Sequence, residues 1–331
     1  MTILIADATE VASLLSMADC IEAMTSAFTA LHRGEVSLPL RSIWAAPGAE
    51  GVIATMPAFR GGEQPVYSLK SICVFPANPA VGLDPHQGNV TLYDGGNGSL
   101  LAVLDAISIT AIRTAAVSAV ATDLMARPDA TTLAVIGAGG QARAHVEALS
   151  LVRPLSEVRI TGRGPERANA LAAELDADHD FNVVAVEDTP EAVAGADIVV
   201  TVTNSSTPVL ERDWLAPGTH VTAAGASTSD AMELDGETVA ASRFAVDLRE
   251  SAERECGALL RARREGLVGD DHIVADLAQL VSGEEPGRTS PDELTVFKSV
   301  GLAIEDLFAA WAVYDRARTE EIGRWVDWTA H

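Results

Sequence analysis

Apolar positions along this 331-residue chain recur with two different periods, and the change of period divides it. Residues 16–34 carry Ile21, Met24, Phe28 and Leu31 at helical spacing, with Ser16 placed to cap the helix and Gly34 to end it. Short alternating runs follow at 41–44, 52–56, 66–74, 90–93 and 100–104. The last two flank Gly95-Gly96-Asn97-Gly98, which predicts a hairpin in a mostly antiparallel sheet. An Ala-rich stretch at 110–126 reads as a helix ended by Arg127-Pro128-Asp129. From there the pattern switches. Apolar runs at 132–136, 158–161, 182–186, 197–202, 219–224 and 243–247 alternate with helical segments, the order of a six-stranded doubly wound parallel sheet. A charged helix is predicted over 252–265 and a polar loop over 283–288. A long last helix over 301–318 follows, capped by Ser299, with Leu302, Leu307, Trp311 and Tyr314 as packing residues.

The fold class that follows is α/β: a Rossmann-type doubly wound parallel sheet plus an α+β domain. The expected divisions are 1–118 for substrate binding and dimerisation, 119–300 for the dinucleotide-binding sheet, and 301–331 for a helix returning to the first domain. No repeat or low-complexity segment interrupts this plan. Gly137 and Gly139 follow the 133–136 run at once, and Ala142 then opens a helix with Val146 and Leu149 inside. Gly137 serves the tight turn, and Gly139 lets a pyrophosphate reach backbone N–H groups at a helix N-terminus, where the dipole favours its charge. In such a sheet ligands sit beyond the carboxyl ends of the strands, which here means Gly137, Ala138, Gly139, Gly140 and Gln141, then Gly162-Arg163, Thr203-Asn204-Ser205 and Gly225-Ala226-Ser227.

Composition narrows the function classes. With 48% apolar and 21% charged residues the balance is globular, and the net charge of −24 argues against nucleic acid and anionic membranes as partners. Cys20, Cys73 and Cys256 are odd in number and show no metal-ligand spacing. The histidines show none either, so no metal is expected and the compartment is a reducing one. The start of the chain lacks a basic n-region, and no stretch of about 18 apolar residues is free of charges. A soluble, cytoplasmic protein is the expectation.

The second strand of the sheet ends Thr161-Gly162-Arg163, with no acid before Glu166. An acid there would bind a ribose 2′-hydroxyl, whereas an arginine suits a 2′-phosphate, so NADP(H) is preferred and NAD(H) possible. A solvated loop arginine is the plain alternative. In the first domain, Arg41 after Pro39, Lys70 inside 66–74 and Arg113 in the Ala-rich helix are cations in apolar settings. Buried cations need anions. A substrate carboxylate or three separate internal salt bridges would each satisfy them.

Residues 91–149, with R-T-A-A at 113–116, and residues 287–310, with F-K-S-V-G followed by Glu305-Asp306, resemble the ornithine cyclodeaminase/μ-crystallin family over nearly the whole chain. The resemblance implies a homodimer, a small imino or amino acid as substrate, and NAD(H) or NADP(H) as cofactor. It implies that Arg41, Lys70 and Arg113 occupy substrate-carboxylate and catalytic positions. Met56 and His86 match positions lining the substrate and cofactor region, though packing would account for them as well. Thr114, Lys298 and Ser299 join the glycine turn, Arg163, the 203–205 loop and Gly225 as cofactor positions on the same ground. Two departures stand out. Ser227 replaces an Asp found after the fifth strand in cyclodeaminases and alanine dehydrogenases, with Asp230 able to substitute only if the loop rearranges. Ala54 replaces the Glu that recognises a distal amine. Without that carboxylate an ammonium tail would be poorly compensated. Both departures resemble ketimine reductases, and the expected activity is NAD(P)H-dependent reduction of a 2-imino acid or cyclic ketimine, with Lys70 and Ser227 as catalytic residues. The alternatives are an ornithine or lysine cyclodeaminase, a related amino acid dehydrogenase, or a non-catalytic NADPH-dependent binding protein.

Overall fold

A computed structural model describes residues 2–328; the outermost residues of the expected end segments, 1 and 329–331, lie outside the described residues. The chain forms two compact units, Met1–Arg113 with Leu302–His331, and Thr114–Gly301, so the division falls within one helix, Ala106–Met125. That helix is long and apolar enough to cross a bilayer by length and composition alone. Its Arg113 is nevertheless committed to two buried carboxylates, and 61% of its apolar window is buried, as in a core helix.

The first unit is built on an eight-stranded sheet. Its order is Arg324–Asp327, Thr2–Ala6, Leu100–Asp105, His86–Asp94, Val66–Val74, Val52–Arg60 and Val36–Ser37, with Ser42–Trp44 also paired to Val52–Arg60. All pairs are antiparallel except Thr2–Ala6 with Leu100–Asp105. The period-2 alternation predicted for 66–74 sends Val66, Ser68, Lys70 and Ile72 to the buried face. The helix Ala303–Thr319 covers that face and packs in turn on Met17–His32. The latter helix is capped by Ser16 as expected, but Cys20, Met24, Ala27 and Phe28 form its buried face, with Ile21 and Leu31 at its margin. The strand Thr2–Ala6, the helix Ala8–Leu14 and the strand Arg324–Asp327 extend the unit beyond what the apolar pattern predicts.

In the second unit all strand pairs are parallel, in the order Asn182–Ala185, Glu157–Thr161, Thr132–Ile136, Ile198–Thr201, His220–Ala223, Thr295–Lys298, Arg243–Val246, Ile273–Asp276. All six predicted strands are present, and two four-residue strands were not foreseen. One of them, Thr295–Lys298, separates two predicted neighbours. The charged segment 252–265 is two helices, Arg249–Glu255 and Gly257–Arg264, broken where Cys256 takes an extended conformation and accepts the Leu259 N–H on its sulfur. Chain order reverses at Thr132–Ile136, from which the path runs first to one edge and then to the other. The crevice beyond its carboxyl end is where this topology binds ligand.

Candidate active site

In the first unit four charged side chains meet with almost no solvent. Lys70 is 3% exposed and Asp306 1%, and the lysine Nζ donates to both Asp306 oxygens at 3.1 and 3.2 Å. Arg113 donates through Nε to Asp306 Oδ1 at 3.1 Å and through Nη1 to Glu305 Oε2 at 2.5 Å. Asp306 Oδ1 is therefore shared by both cations, and Arg113 Nη2 has no partner among the described residues. Register places Met56 and Val90 on either side of Lys70. Burial pushes the lysine down, Asp306 pulls it up and Arg113 and Arg41 push it down again, leaving it at about 8. Arg41, just ahead of Ser42–Trp44, is thereby placed within electrostatic reach of Lys70. Burial would lower the Arg113 guanidinium, but Asp306 and Glu305 together outweigh that and raise it. Cys20, on the neighbouring helix, is pushed up to about 12 by burial and is inert as a thiolate.

Two of the three Arg113 guanidinium nitrogens are engaged by Asp306 and Glu305, which leaves Nη2 as the edge that could meet a substrate carboxylate. Internal salt bridges, the other reading of these cations, are present for Lys70 and Arg113: both pair with Asp306, and Arg113 pairs with Glu305 as well. Glu305 and Asp306, which enter the sequence pattern only through the family resemblance, are the carboxylates that hold Lys70 and Arg113 together. Their signal is two adjacent acids in the apolar first half of a helix that turns polar from Asp315 onward.

In the second unit the strand ends carry the expected loops. Gly137 has φ +126°, and a Cβ there would meet the Val202 carbonyl oxygen at 2.7 Å, so glycine is required by the turn. At Gly139 and Gly140 a Cβ would meet nothing within 4 Å. Gly139 caps the helix Gly140–Ser150 without any side-chain hydrogen bond, and Gln141 Oε1 is buried without a partner. Open space and an uncapped helix N-terminus fit a dinucleotide pyrophosphate. Arg163 is exposed one strand away and donates to Asn204 Oδ1 at 3.3 Å, and Ser205 N–H bonds Thr203 Oγ1.

The 203–205 and 225–227 loops are tied by a residue not foreseen. Glu233, 2% exposed, accepts Thr203 N–H at 2.6 Å and Thr203 Oγ1 at 3.0 Å on one oxygen, and Gly225 and Ala226 N–H at 2.9 Å on the other. A Cβ on Gly225 would collide with the Thr203 backbone, so this glycine serves loop packing. Ser227 is half-buried and makes no hydrogen bond among the described residues, while Asp230 lies on the exposed part of its loop. Lys298 gives its ammonium to the carbonyls of Ala223, Ala226 and Ser299, which commits its donors to backbone rather than to a phosphate. Ser299 does not cap the last helix: its hydroxyl donates to Asp247, and that helix starts at Ala303 behind Leu302. Thr114 is buried just inside the second unit, and His86 is exposed beside Asp84 in the first. A surface cavity of about 470 Å³ bordered by Arg212, Ser242, Arg243 and Glu293 lies at the amino ends of the strands, the edge opposite the glycine turn. Ala54 is 7% exposed and paired in register with Ile43 and Ile72 on the neighbouring strands.

A parallel sheet with an open glycine turn, together with a unit holding a buried lysine–arginine–carboxylate cluster, defines an α/β protein of the dinucleotide-dependent class. The chain belongs to the ornithine cyclodeaminase/mu-crystallin family, which it matches over residues 1–321. It is 38% identical to the ketimine reductase mu-crystallin of Mus musculus over 295 residues, covering 89% of this chain and 90% of that one. The solved Delta(1)-pyrroline-2-carboxylate reductase of Thermococcus litoralis, in complex with NADH and L-proline, superposes with a TM-score of 0.94 at 34% identity, over 97% of this chain and 99% of that one. An archaeal alanine dehydrogenase dimer with bound NAD superposes with a TM-score of 0.92 at 31% identity, over 99% and 100% of the two chains.

Proposed function

We propose that this protein is an NAD(P)H-dependent reductase of a small 2-imino acid or cyclic ketimine, of the pyrroline- or piperideine-2-carboxylate type. The observation that carries the reading is the Lys70–Asp306–Arg113 cluster: a buried ammonium near pH 8 is an acid of suitable strength to protonate an imine nitrogen near neutral pH. A reduced nicotinamide, when bound, supplies the hydride to the imine carbon and is itself oxidised. Lys70 delivers the proton to the nitrogen, so the C=N bond becomes a C–N single bond carrying one new hydrogen at each end. Arg41 and the remaining Nη2 edge of Arg113 hold the substrate carboxylate through charge-assisted bonds. Ser227 orients the imine or a water. No carboxylate stands at 227 or 54 to serve a primary amine leaving group or a distal ammonium, which separates this site from that of a cyclodeaminase.

For the cofactor, the reading favours NADP(H), supported by the Arg163–Asn204 pair beside the glycine turn. We further infer a homodimer working in the cytoplasm. Exposed Ile43, Trp44, Tyr67 and Phe75 on the first unit support the dimer, and three free cysteines support a reducing compartment.

The test offers the purified protein a cyclic 2-imino acid with NADPH or NADH, and separately ornithine with NAD, while absorbance and ammonia are followed. Nicotinamide oxidation that depends on the imine is the expected result. Ammonia release from ornithine without net reduction would overturn it in favour of the lyase. Tight dinucleotide binding with no turnover of either substrate would make the protein a binding protein.

A further inference from the structure

The buried lysine has more donors than the protein uses. Two N–H bonds of Lys70 go to the two oxygens of Asp306, and the third has no acceptor among the described residues, although the side chain is 3% exposed. An ammonium proton held out of water without an acceptor is costly unless something else accepts it. The carboxylate that anchors the other two is itself fixed: Asp306 lies in the first turn of Ala303–Thr319, with Arg113 Nε on the oxygen it shares with Lys70. Glu305 beside it closes a capping contact with its own helix through the Leu302 N–H at 3.1 Å and takes Arg113 Nη1. Asp306 thus remains paired to Arg113 whether Lys70 is charged or neutral.

We propose that Asp306 is a positioning residue for the reduction: it holds the Lys70 ammonium by two N–H bonds, presents the third to the substrate nitrogen, and keeps the lysine protonated for that transfer. The inference rests on the reductase reading above. When Lys70 gives its proton to the imine nitrogen, one N–H bond breaks and one forms. The neutral amine stays on Asp306, the carboxylate keeps its Arg113 partner, and the lysine is reprotonated from solvent when the product leaves. The charged and titratable groups around Lys70 are Asp306 and Glu305 on Ala303–Thr319, Arg113 on Ala106–Met125, Cys20 on Met17–His32 and Arg41 ahead of Ser42–Trp44. The flanking strand positions, Met56 and Val90, carry no charge. Of these, only Asp306 acts to keep the lysine charged, and Arg113 and Arg41 act against it.

The experiment is the pH–rate profile of the full-length enzyme for a cyclic 2-imino acid, at saturating dinucleotide, for wild type, Asp306→Asn and Asp306→Glu. Wild-type kcat should fall as pH rises through about 8, where Lys70 loses its proton. Asp306→Asn should move that alkaline limb at least about one pH unit toward acid and lower kcat at pH 8 about tenfold or more, with the KM for the dinucleotide within about twofold. Asp306→Glu keeps the charge and is the variant to read if the amide does not fold. Its limb should stay within about half a unit of wild type while kcat drops about tenfold, since a displacement near 1 Å at the reacting group is expensive. A folded Asp306→Asn enzyme with an unmoved limb, or an Asp306→Glu enzyme with wild-type kcat, overturns the role of Asp306 and leaves the reductase reading standing. A wild-type enzyme that reduces no cyclic imine overturns both.

Discussion

Lys70 and Lys298 are equally buried, each 3% exposed, yet they sit in environments of opposite kind. In the first unit Lys70 faces a carboxylate that it shares with Arg113, and charge is answered by charge. In the second unit Lys298 faces three carbonyl oxygens, and the other buried ions there are answered mainly by the backbone. Glu233 takes three backbone N–H groups and one hydroxyl. Asp247 takes the N–H groups of Val300 and Gly301, and Arg153, besides its pair with the Asp123 carboxylate, donates to the carbonyls of Thr122, Asp123, Ala126 and Arg127. A carbonyl fixes a cation in place but cannot take up a change in its charge. A carboxylate bridging two cations can, because losing one leaves it paired to the other. Burial alone therefore does not distinguish the two lysines; the chemistry of their partners does, and it is the ground on which Lys70 rather than Lys298 is proposed as the proton donor.

The most forceful way to break this contrast is to remove both lysines in turn. Lys70→Met should lower kcat by about three orders of magnitude with dinucleotide affinity kept, as loss of a proton donor implies. Its thermal stability should hold or rise. A lysine pushed down to about 8 from 10.5 is disfavoured as a cation by something on the order of 3 kcal/mol, and Met removes that burden without a cavity. Lys298→Met should do the reverse. It strands three carbonyls, costs roughly 3 kcal/mol of stability, and should show as a lowered Tm with the alkaline limb of the rate profile unmoved. If Lys70→Met is the variant that unfolds, the distinction between the two environments fails.

A smaller effect separates the units by pH. His145 and His220 are fully buried in the second unit, pushed down to about 4 and about 3 by burial, with Arg288 and Arg153 adding to the depression of His220. Both stay neutral in the fold while the unfolded chain takes up protons below about 6.5. Their stabilisation is therefore complete above that pH and is lost as pH falls through the folded values. At pH 5 the loss is on the order of 2 kcal/mol for each. Tm measured from pH 7 to 4.5 should fall accordingly. His220→Gln, which retains a partner for Thr295 and Thr222, should flatten that decline. An unchanged slope would mean that carboxylates elsewhere control the acid limb.

The two units were also unequally legible. The dinucleotide sheet could be read from sequence because its marks are local: an apolar run, a glycine turn and an amphipathic helix within twenty residues, then alternating strands. What was lost there was short. Thr295–Lys298 ends in a lysine and is followed by Ser299, which together look like the approach to a helix, so the strand inserted between two predicted neighbours passes for a loop. The charge cluster is non-local. Lys70 is 236 residues from Asp306, and Arg113 is 193. The cations stood out against apolar surroundings, but nothing in their own neighbourhoods named an anion. Glu233 was hidden in another way, as one acid among Asp230, Asp235 and Glu237 in a chain of net charge −24. Only the approach of two strand ends shows which of them turns inward.

The finest contrast lies within the second unit, between glycines that serve packing and those that serve a ligand. Gly225 is held against the Thr203 backbone, whereas Gly139 faces open space at the head of Gly140–Ser150. Gly139→Ala should leave Tm close to wild type, because its φ of −113° suits any residue and its Cβ meets nothing. It should still weaken NADPH and NADH alike, by about tenfold, by filling the space where a pyrophosphate meets the helix. On the proposed NADP(H) reading, Arg163→Ala should weaken NADPH about tenfold more than NADH, because NADH has no 2′-phosphate for a guanidinium to pair with. Calorimetric titration of the two dinucleotides on both variants reads the outcome without reference to catalysis. Equal losses for Arg163→Ala would leave its bond to Asn204 as loop structure and return the choice of cofactor to NAD(H). An unaffected Gly139→Ala would move the pyrophosphate away from this turn altogether.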